Sequence, residues 1–323
     1  MKLAKTYGYL KKDLDHIEQA LNSAIQAEHP VLRNAATQLL NAGGKRIRPV
    51  FVLLSGQFGN YDMERMKTVA VSLELIHMAT LVHDDVIDDA ELRRGKPTIR
   101  QLYDNRVAMY AGDYILARSL EQITMLKKPQ AHHVLSKTIV DVCIGEIEQI
   151  KDKYDWNQHL RNYLRRIKRK TALLIATSCK LGAIAADVSE VYANKLYQYG
   201  YYIGMSYQII DDILDFTSSA QELGKPVGND LLQGNITLPV LFAMEDKDFK
   251  RLLQETFLNP DTISDRQMQV LLTGLHETDA INRSYNLSNR YLEKALHIVE
   301  QLPNVKARNT LKEVAKYIGK RRT

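Results

Sequence analysis

Apolar residues recur along the chain mostly at spacings of three and four positions, which is the period of an α-helix and not that of a strand. Leu10, Leu14, Ile17 and Leu21 mark the first such face. Longer helices are predicted over 66–83, 107–126, 130–150, 156–181, 188–216 and 278–301. Most prolines fall between these segments, where helices should end. With no alternation of strands and helices, the pattern predicts an all-α protein.

Composition supports this prediction and limits the cellular setting. Only 16 Gly and 8 Pro occur in 323 residues, and no low-complexity linker divides the chain, so we expect one domain over residues 1–323. There is no apolar run long enough to cross a membrane, and the start of the chain predicts no signal peptide. Two cysteines, Cys143 and Cys179, are too few for a disulfide framework. We therefore expect a cytoplasmic protein.

One acidic motif occurs twice. The helix predicted over 66–83 leads into Asp84-Asp85-Val86-Ile87-Asp88, and a helix over 190–210 leads into Asp211-Asp212-Ile213-Leu214-Asp215. Both read D-D-x-x-D, and both precede a loop rich in Gly, Pro and basic residues. A single acidic helix end is most simply a solvated surface. A repeat with matching surroundings indicates shared chemistry.

The spacing inside each motif favours a cation. Residues four apart share a helix face, which pairs Asp84 with Asp88 and Asp211 with Asp215. Clustered carboxylates repel one another unless a cation lies between them. Oxygen ligands suit Mg²⁺ or Mn²⁺ better than zinc, and Mg²⁺ is commonly shared with substrate phosphates. The spacing lacks the EF-hand pattern of a calcium site, and the aspartates outnumber the carboxylate pair of a glycoside hydrolase.

Basic residues lie where a phosphorylated substrate would need them. Gly43-Gly44-Lys45-Arg46-Ile47-Arg48-Pro49 places three cations at the start of a predicted helix. This is unfavourable for the helix dipole unless an anion binds there. Arg93, Arg94 and Lys225 add positive charge in the loops that follow the two acidic motifs.

Other polar residues have weaker arguments. His77 lies seven residues before Asp84 on the same helix face, so we expect it to contact substrate, whereas His83 is expected to be structural. The basic run 165–170 leads into an apolar helix and has no base-stacking aromatics, so we expect no nucleic-acid partner. The tail 320–322 is most simply solvated, with a weak attraction to anionic lipid as the alternative.

In chain order these motifs resemble those of the trans (E-type) polyprenyl diphosphate synthases. The matching stretches are G-G-K-R-I-R-P, H-D-D-V-I-D-D with R-R-G-K-P-T, K-T, Y-Q-I-I-D-D-I-L-D and G-K-P-V-G-N-D-L. The stretch 145–150 and the end 315–322 are most similar to the large catalytic components of two-component heptaprenyl diphosphate synthases. Asn235 stands where many members of the family carry a lysine.

The resemblance implies an all-α, single-domain bundle around a deep central cavity, the isoprenoid synthase type of fold. It implies that the two motifs face each other and hold Mg²⁺, with Asp84, Asp88 and Asp211 as ligands and Asp215 assisting through water. Lys170 joins Asp84, Asp88 and Asp211 as a catalytic residue. The residues implied to hold the allylic diphosphate are Arg93, Lys170, Thr171, Gln208 and Lys225. Those implied to hold isopentenyl diphosphate are Lys45, Arg48, His77 and Arg94.

The implied reaction adds isopentenyl diphosphate units to an allylic diphosphate, with farnesyl diphosphate as primer. The product is a long all-trans chain, heptaprenyl, for the side chain of menaquinone. Ala79 and Thr80 are implied to line the product's path, and their small size implies a long product. The implied partner is a smaller non-catalytic component that forms a heterodimer, with peripheral membrane contact during product release.

Three alternatives stay open or are disfavoured at this point. A medium- or short-chain synthase would share every motif described above, and a non-catalytic helical subunit should lack the intact aspartate motifs. A terpene cyclase is disfavoured, because the basic stretch 43–49 would then have no second diphosphate to hold.

Overall fold

The computed structural model describes residues 6–219, 221 and 226–321. Helices make up 76% of it, which confirms the all-α prediction. The helices are Lys11–Ala24 (α1), Pro30–Asn41 (α2), Ile47–Gly56 (α3), Met63–Ile87 (α4), Ile99–Leu102 (α5), Asn105–Thr124 (α6), Pro129–Lys151 (α7), Leu160–Ile167 (α8), Leu173–Ala185 (α9), Glu190–Thr217 (α10), Asn229–Leu232 (α11), Leu238–Ala243 (α12), Lys247–Thr256 (α13), Asp265–Glu277 (α14), Ala280–Glu300 (α15) and Lys306–Gly319 (α16). Short 3₁₀ turns cover Gly8–Leu10 and Pro260–Thr262.

The only strands in the described part of the chain form a two-residue antiparallel hairpin, which the sequence pattern did not predict. Leu92–Arg93 (β1) pairs with Lys96–Pro97 (β2) directly after the first aspartate motif. Arg94 and Gly95 form the turn, and both have positive φ. The hairpin matters here because it carries two of the predicted diphosphate-binding residues, Arg93 and Arg94.

The chain divides into two compact units. Unit 1 contains the described residues up to Lys137 together with Leu174–Gly200 and Ile298–Val314. Unit 2 contains Thr138–Leu173, Tyr201–His297 and the described residues from Ala315 onward. The expectation of one domain over residues 1–323 stays a prediction.

In unit 1, helix α4 is central. Its residues 69–76 are all buried, so this helix is covered on every side along that stretch. It packs along α6, where the Ser72 hydroxyl donates a 2.7 Å hydrogen bond to the backbone oxygen of Ser119 inside the core. Asp62 caps the helix by accepting from the backbone amide of Arg65 at 2.8 Å. The result is a rigid support that ends at the first aspartate motif.

Unit 2 contains two apolar clusters. One gathers Ile167, Ala172, Met205, Ile209 and Ile213 with the buried ring of Tyr163. A second is built around Phe216, Phe249 and neighbouring aliphatic residues. The first cluster lies under the second aspartate motif and fixes the helix that carries it.

The segment predicted as one helix over 156–181 is interrupted. It begins only at Leu160, and Lys168–Ala172 forms a π-turn between α8 and α9. A π-turn adds one residue to a helical turn and is frequent at functional sites. Close packing accompanies it: a Cβ at Gly204 would stand 2.5 Å from the Cα of Ala172. The interruption changes the direction of Lys170 and Thr171 relative to a continuous helix.

One helix has an exposed apolar side. The second half of α7 exposes five apolar residues along one side, which we call the exposed α7 face: Val140, Cys143, Ile144, Ile147 and Ile150. Cys179, in contrast, is fully buried in unit 1. None of the described helices combines the length and the apolar character required to span a bilayer.

Candidate active site

The first aspartate motif lies at the end of α4. Asp84 is inside the last turn, and Asp88 follows the helix with its backbone amide donating to the Asp84 carbonyl at 2.8 Å. The helical spacing predicted for this pair is therefore kept. Asp85 is buried and accepts from Arg93 at 2.6 Å, while Arg100 pairs with Asp89 at 2.8 Å.

The Arg93 contact gives the motif an internal counter-charge. Burial raises the pKa of Asp85 above its ordinary value, while the hydrogen bond and positive charge of Arg93 act in the opposite direction. Arg93 was predicted to hold an allylic diphosphate, and its guanidinium is here engaged with Asp85. It stays partly exposed, which leaves part of the guanidinium accessible to an anion.

The basic stretch 43–49 forms a tight loop before α3. Gly43 has φ +77°, and Arg46 adopts a left-handed conformation with φ 47° and ψ 38°. A Cβ at Gly44 would stand 2.8 Å from Nη1 of Arg94, so the glycine lets the Arg94 guanidinium lie against this loop, and a larger residue would push the end of that side chain aside. The predicted residues of the basic stretch and of the hairpin are thereby brought together.

His77 lies in this cationic region, and its predicted contact with substrate stays a prediction. It lines a narrow cavity with Arg46, Glu74, Arg93 and Arg94. Burial lowers the pKa of His77 well below its usual range, and the positive charge of nearby arginines lowers it further. In order of effect these arginines are Arg48, Arg94, Arg93 and Arg46. The neutral imidazole can donate one hydrogen bond without adding to the charge of the site.

His83 and the two predicted wall residues occupy separate places on α4. The His83 imidazole lies against Gly112 and 3.2 Å from Asp113, in agreement with a structural role. Ala79 is buried, and the Thr80 hydroxyl donates to the His77 carbonyl at 2.8 Å. The small side chain of Ala79 therefore lies inside unit 1.

The second aspartate motif lies within α10, whose bounds Glu190–Thr217 agree with the helix predicted over 188–216 to within two residues. Asp211 is paired with Arg321 at 2.9 Å, and the Arg321 guanidinium lies 4.7 Å from the ring centre of Tyr207. The prediction of a solvated basic tail is wrong for Arg321, because this guanidinium is mostly buried between a carboxylate and an aromatic ring. Asp215 is buried and accepts from the backbone amide of Asp230 at 3.1 Å.

A buried hydrogen-bond chain connects the second motif to the π-turn. Tyr163 donates to one carboxylate oxygen of Asp212 at 2.7 Å, and Gln208 donates its amide to the other at 2.8 Å. The Gln208 carbonyl in turn accepts from the Thr171 hydroxyl at 2.6 Å. This chain fixes the orientation of the Gln208 amide, because its nitrogen is committed to Asp212. Thr171 and Gln208, both predicted site residues, are thus direct neighbours.

Lys170 projects from the same π-turn. Its ammonium group donates to the Gln149 carbonyl at 3.0 Å, and Gln149 is itself buried on α7. A glutamine partner orients the lysine without cancelling its charge. Lys170 therefore keeps the net positive charge that an anion site requires.

Two residues named in the sequence analysis, Lys225 and Asn235, follow the second motif. Lys225 lies outside the described residues. Asn235 is described: its backbone amide donates to Asp230 at 2.8 Å, while its side-chain oxygen is buried with no hydrogen-bond partner in the described structure.

No three acidic, histidine or cysteine side chains converge into a preformed metal site within residues 6–219, 221 and 226–321. The aspartates of each motif nevertheless supply the hard oxygen ligands that Mg²⁺ accepts. An ion bound mainly through substrate phosphates and waters needs only one or two carboxylates.

Sequence reasoning missed several residues that organise the site. Glu74 is the only charged residue in the buried stretch 69–76, which is a signal visible in the sequence. No such signal marks Tyr163, Gln149 or Asp212, which is the second aspartate of the second motif. Their roles depend on tertiary neighbours.

Known proteins resemble this chain in both sequence and fold. The family model described as "Polyprenyl synthetase" matches residues 29–272. Heptaprenyl diphosphate synthase component 2 of Bacillus subtilis (strain 168) is 58% identical over 322 residues, which cover 100% of this chain and 92% of that protein.

Two solved structures are similar over almost the whole chain. The crystal structure of heptaprenyl diphosphate synthase from Staphylococcus aureus has a TM-score of 0.92 and 44% identity, and the match covers 97% of this chain and 99% of the other. Polyprenyl synthase from Caulobacter crescentus CB15, complexed with calcium and isoprenyl diphosphate, has a TM-score of 0.93 and 26% identity, with 100% and 98% coverage.

Proposed function

Because the chain belongs to the polyprenyl synthetase family, whose members are prenyltransferases that lengthen trans-prenyl chains, we propose that it is the catalytic component of a heptaprenyl diphosphate synthase. In this proposal it adds isopentenyl diphosphate units to an allylic diphosphate. The observation that carries the proposal is the cationic region around His77, on the same helix that ends in Asp84 and Asp88.

Mg²⁺ is the proposed cofactor. Asp84 and Asp88 would hold it in the first motif, and Asp211 would hold it in the second with help from Asp215. The donors fit, since all four are carboxylates and Asp211 already attracts the Arg321 cation. When bound, Mg²⁺ supplies Lewis-acid stabilisation of the leaving diphosphate.

The proposed isopentenyl diphosphate residues are in unit 1. Lys45 is exposed and Arg48 is half-buried at the start of α3, while Arg94 lies against Gly44. Cations held by a tight loop lose little conformational entropy when an anion binds. His77 adds a neutral donor beside them.

The proposed residues for the allylic diphosphate are Arg93, Lys170, Thr171, Gln208 and Lys225. Lys170 and Arg93 provide fixed positive charge for the developing negative charge on the leaving group. Thr171 and Gln208 present oxygen dipoles that can stabilise an allylic cation, since the Gln208 amide nitrogen is turned toward Asp212.

The proposed reaction needs no protein nucleophile. The carbon–oxygen bond of the allylic diphosphate breaks, the double bond of isopentenyl diphosphate attacks the resulting cation, and the released diphosphate takes up the proton. The protein's part is to orient both substrates and to exclude water from the cation.

Product length and primer complete the proposed reaction. Small side chains at Ala79 and Thr80 leave room for a long chain, and farnesyl diphosphate is the proposed primer. The heptaprenyl product would serve as a menaquinone side chain. Each methylene buried along the path contributes about 0.8 kcal/mol, so we expect slow release of the product, with peripheral membrane contact at that stage.

The proposed partner is a smaller non-catalytic chain in a cytoplasmic heterodimer. The B. subtilis relative is named as component 2, which implies a further component for that protein. In this chain, the exposed α7 face offers a contiguous apolar surface with no charged residue among its five members. Such patches commonly mark protein interfaces.

The test is an assay with radiolabelled isopentenyl diphosphate, farnesyl diphosphate and Mg²⁺, with and without the candidate second component, followed by sizing of the product. We expect a heptaprenyl chain from the wild-type pair. We expect turnover to fall by about 10³-fold or more in Asp84→Ala and in Asp211→Ala, with circular dichroism unchanged. Near-normal turnover in either variant would contradict the metal-binding role.

A further inference from the structure

Arg46 of the basic loop is bonded to three other parts of the chain. Its Nε and Nη2 atoms donate to the two carboxylate oxygens of Glu18, both at 2.8 Å. Its Nη1 atom donates to Glu74 at 3.1 Å. Nη2 also approaches the Leu40 carbonyl at 3.4 Å, at the end of α2. One guanidinium therefore joins α1, α2 and α4 to the loop that precedes α3.

These ion pairs commit the Arg46 guanidinium to Glu18 and Glu74 and compensate its positive charge. Two carboxylates are directed at it, one of them on the buried residue Glu74. Burial alone would lower the pKa of Arg46, but the bonds and charges of Glu18 and Glu74 outweigh that effect and raise it. Two-pronged arginine–carboxylate pairs are geometrically specific as well as strong.

The backbone at Arg46 needs such support. A non-glycine residue is strained in the left-handed region, and here it forms the residue before the first turn of α3. The conformation sets the direction in which the loop enters α3, between Lys45 and Arg48. Without its side-chain anchors, the loop would be expected to relax and to scatter these two cations.

Glu74 links this loop to the rest of the site. It lies three residues before His77 and ten before Asp84 on α4. Its second oxygen, Oε2, is buried with no hydrogen-bond partner in the described structure. An otherwise costly buried carboxylate is thus retained beside the cations that would attract a diphosphate, and its visible use is to hold Arg46.

We propose that Arg46 is a positioning residue: Glu18 and Glu74 hold its guanidinium so that the loop presents Lys45 and Arg48 to the diphosphate of isopentenyl diphosphate. The inference rests on the proposed function, which places that diphosphate here. The three basic residues of the stretch 43–49 thus have two different roles. Lys45 and Arg48 bind the anion, and Arg46 gives the loop its shape.

The experiment measures steady-state kinetics with isopentenyl diphosphate varied at saturating farnesyl diphosphate and Mg²⁺, in the presence of the second component. The variants are Arg46→Lys, which keeps the charge and loses the two-pronged geometry, and Glu18→Gln, which removes a partly exposed anchor and is expected to fold. We expect KM for isopentenyl diphosphate to rise about tenfold in the first and about threefold in the second. We expect kcat and KM for farnesyl diphosphate to stay within about twofold.

The Glu18→Gln variant separates positioning from direct contact by the sign of its effect. If Arg46 itself bound the diphosphate, releasing it from Glu18 would leave KM unchanged or lower it, and this result would overturn the proposal. An unchanged KM with a reduced kcat in Arg46→Lys would also overturn it, because that indicates only a smaller folded fraction.

Two controls complete the design. Arg283→Lys breaks a comparable two-pronged pair with Glu245, at 2.7 and 2.9 Å, and should leave KM for isopentenyl diphosphate unchanged. Arg48→Ala tests the proposed function separately. A normal KM in Arg48→Ala would refute the assignment of the diphosphate site itself. A raised KM there, with a normal one in Arg46→Lys, would refute only the positioning role.

Discussion

At the scale of single residues, Asp212 illustrates how burial can make one aspartate of a motif differ from its neighbours. Burial raises the pKa of Asp212 to about 7, and the negative charge of Asp230 adds to this effect. The hydrogen bonds from Tyr163 and Gln208 act in the opposite direction but do not outweigh it. The second aspartate of this motif is therefore suited to hydrogen bonding inside unit 2 and not to binding an ion.

This difference predicts a pH dependence of stability. Because the folded-state pKa of Asp212 lies above its unfolded value, its contribution is fully present below about pH 4 and is lost as the pH rises toward 7. In Asp212→Asn the amide oxygen can still accept from Gln208, and the amide nitrogen can donate to the Tyr163 hydroxyl. Wild type should therefore lose about 2–3 kcal/mol of unfolding free energy relative to this variant between pH 5 and pH 7.

Urea unfolding in the presence of a chelator would measure this difference at each pH. A constant difference between wild type and Asp212→Asn across the range would show that Asp212 is ionised throughout.

Ala79 carries a second prediction at the residue scale. It is 2% exposed on α4, so a larger ring must project into the interior. We expect Ala79→Phe to shorten the main product and to cost about 1–3 kcal/mol of stability through overpacking. Chromatographic sizing of the product measures the first effect. Ala79→Ser is the matched control and should keep the long product. An unchanged product length in a folded Ala79→Phe variant would show that Ala79 does not line the path of the product.

Residue identities showed which groups carry charge, but not which of those charges are already neutralised. Lys45, Arg46 and Arg48 are equivalent in a sequence pattern, yet two carboxylates from other helices reach Arg46. Glu18 and Glu74 are separated from it by 28 positions each. Periodicity within one helix carries no information about such distant partners.

At the scale of secondary-structure elements, long helices were predictable and their interruptions were not. The helices predicted over 107–126 and 130–150 agree with Asn105–Thr124 and Pro129–Lys151 to within a few residues. The π-turn at Lys168–Ala172 interrupts a single step of the apolar spacing, because it adds only one residue. It is accompanied by the close packing of Ala172 against Gly204, a contact that no local pattern contains.

The exposed α7 face supports a prediction at this scale. Ile147 is 67% exposed, so Ile147→Glu should leave the fold unchanged while placing a charge in an apolar interface. If the second component binds there, its affinity should fall by about 100-fold or more. Light scattering after size-exclusion chromatography of the mixture would measure assembly.

Val191 provides the matched control, because it is 64% exposed on a different helix. Val191→Glu should leave assembly unchanged. Equal assembly in Ile147→Glu and wild type would exclude this face as the docking surface.

At the scale of the whole molecule, the lack of a preformed cluster of metal ligands in the described ranges predicts that metal and substrate bind together. No three metal-ligating groups converge within the described ranges, so Mg²⁺ alone should bind weakly. We expect excess Mg²⁺ to shift the thermal midpoint by less than about 1 °C. Mg²⁺ with inorganic diphosphate should raise it by several degrees, because a ligand that binds only the folded state stabilises it. Differential scanning fluorimetry would measure both shifts, and a large shift with Mg²⁺ alone would contradict the prediction.

The fold class and the chemical character of the site were within reach of the sequence, for related reasons. Helical periodicity repeats over many residues, and the two aspartate motifs repeat with the same spacing. The features that needed the structure depend on single long-range contacts, such as Arg321 with Asp211 or Lys170 with Gln149. Each involves one pair of residues and leaves no repeated pattern in the chain.

The two cysteines differ so strongly in environment that the protein contains its own chemical probe. Burial raises the pKa of the Cys179 thiol to about 12, which makes that sulfur unreactive at neutral pH. Cys143 is exposed in the middle of the α7 face. A maleimide added to the folded wild-type chain should therefore label one position, and the labelling rate would report directly, without an engineered tag, whether another protein covers that surface.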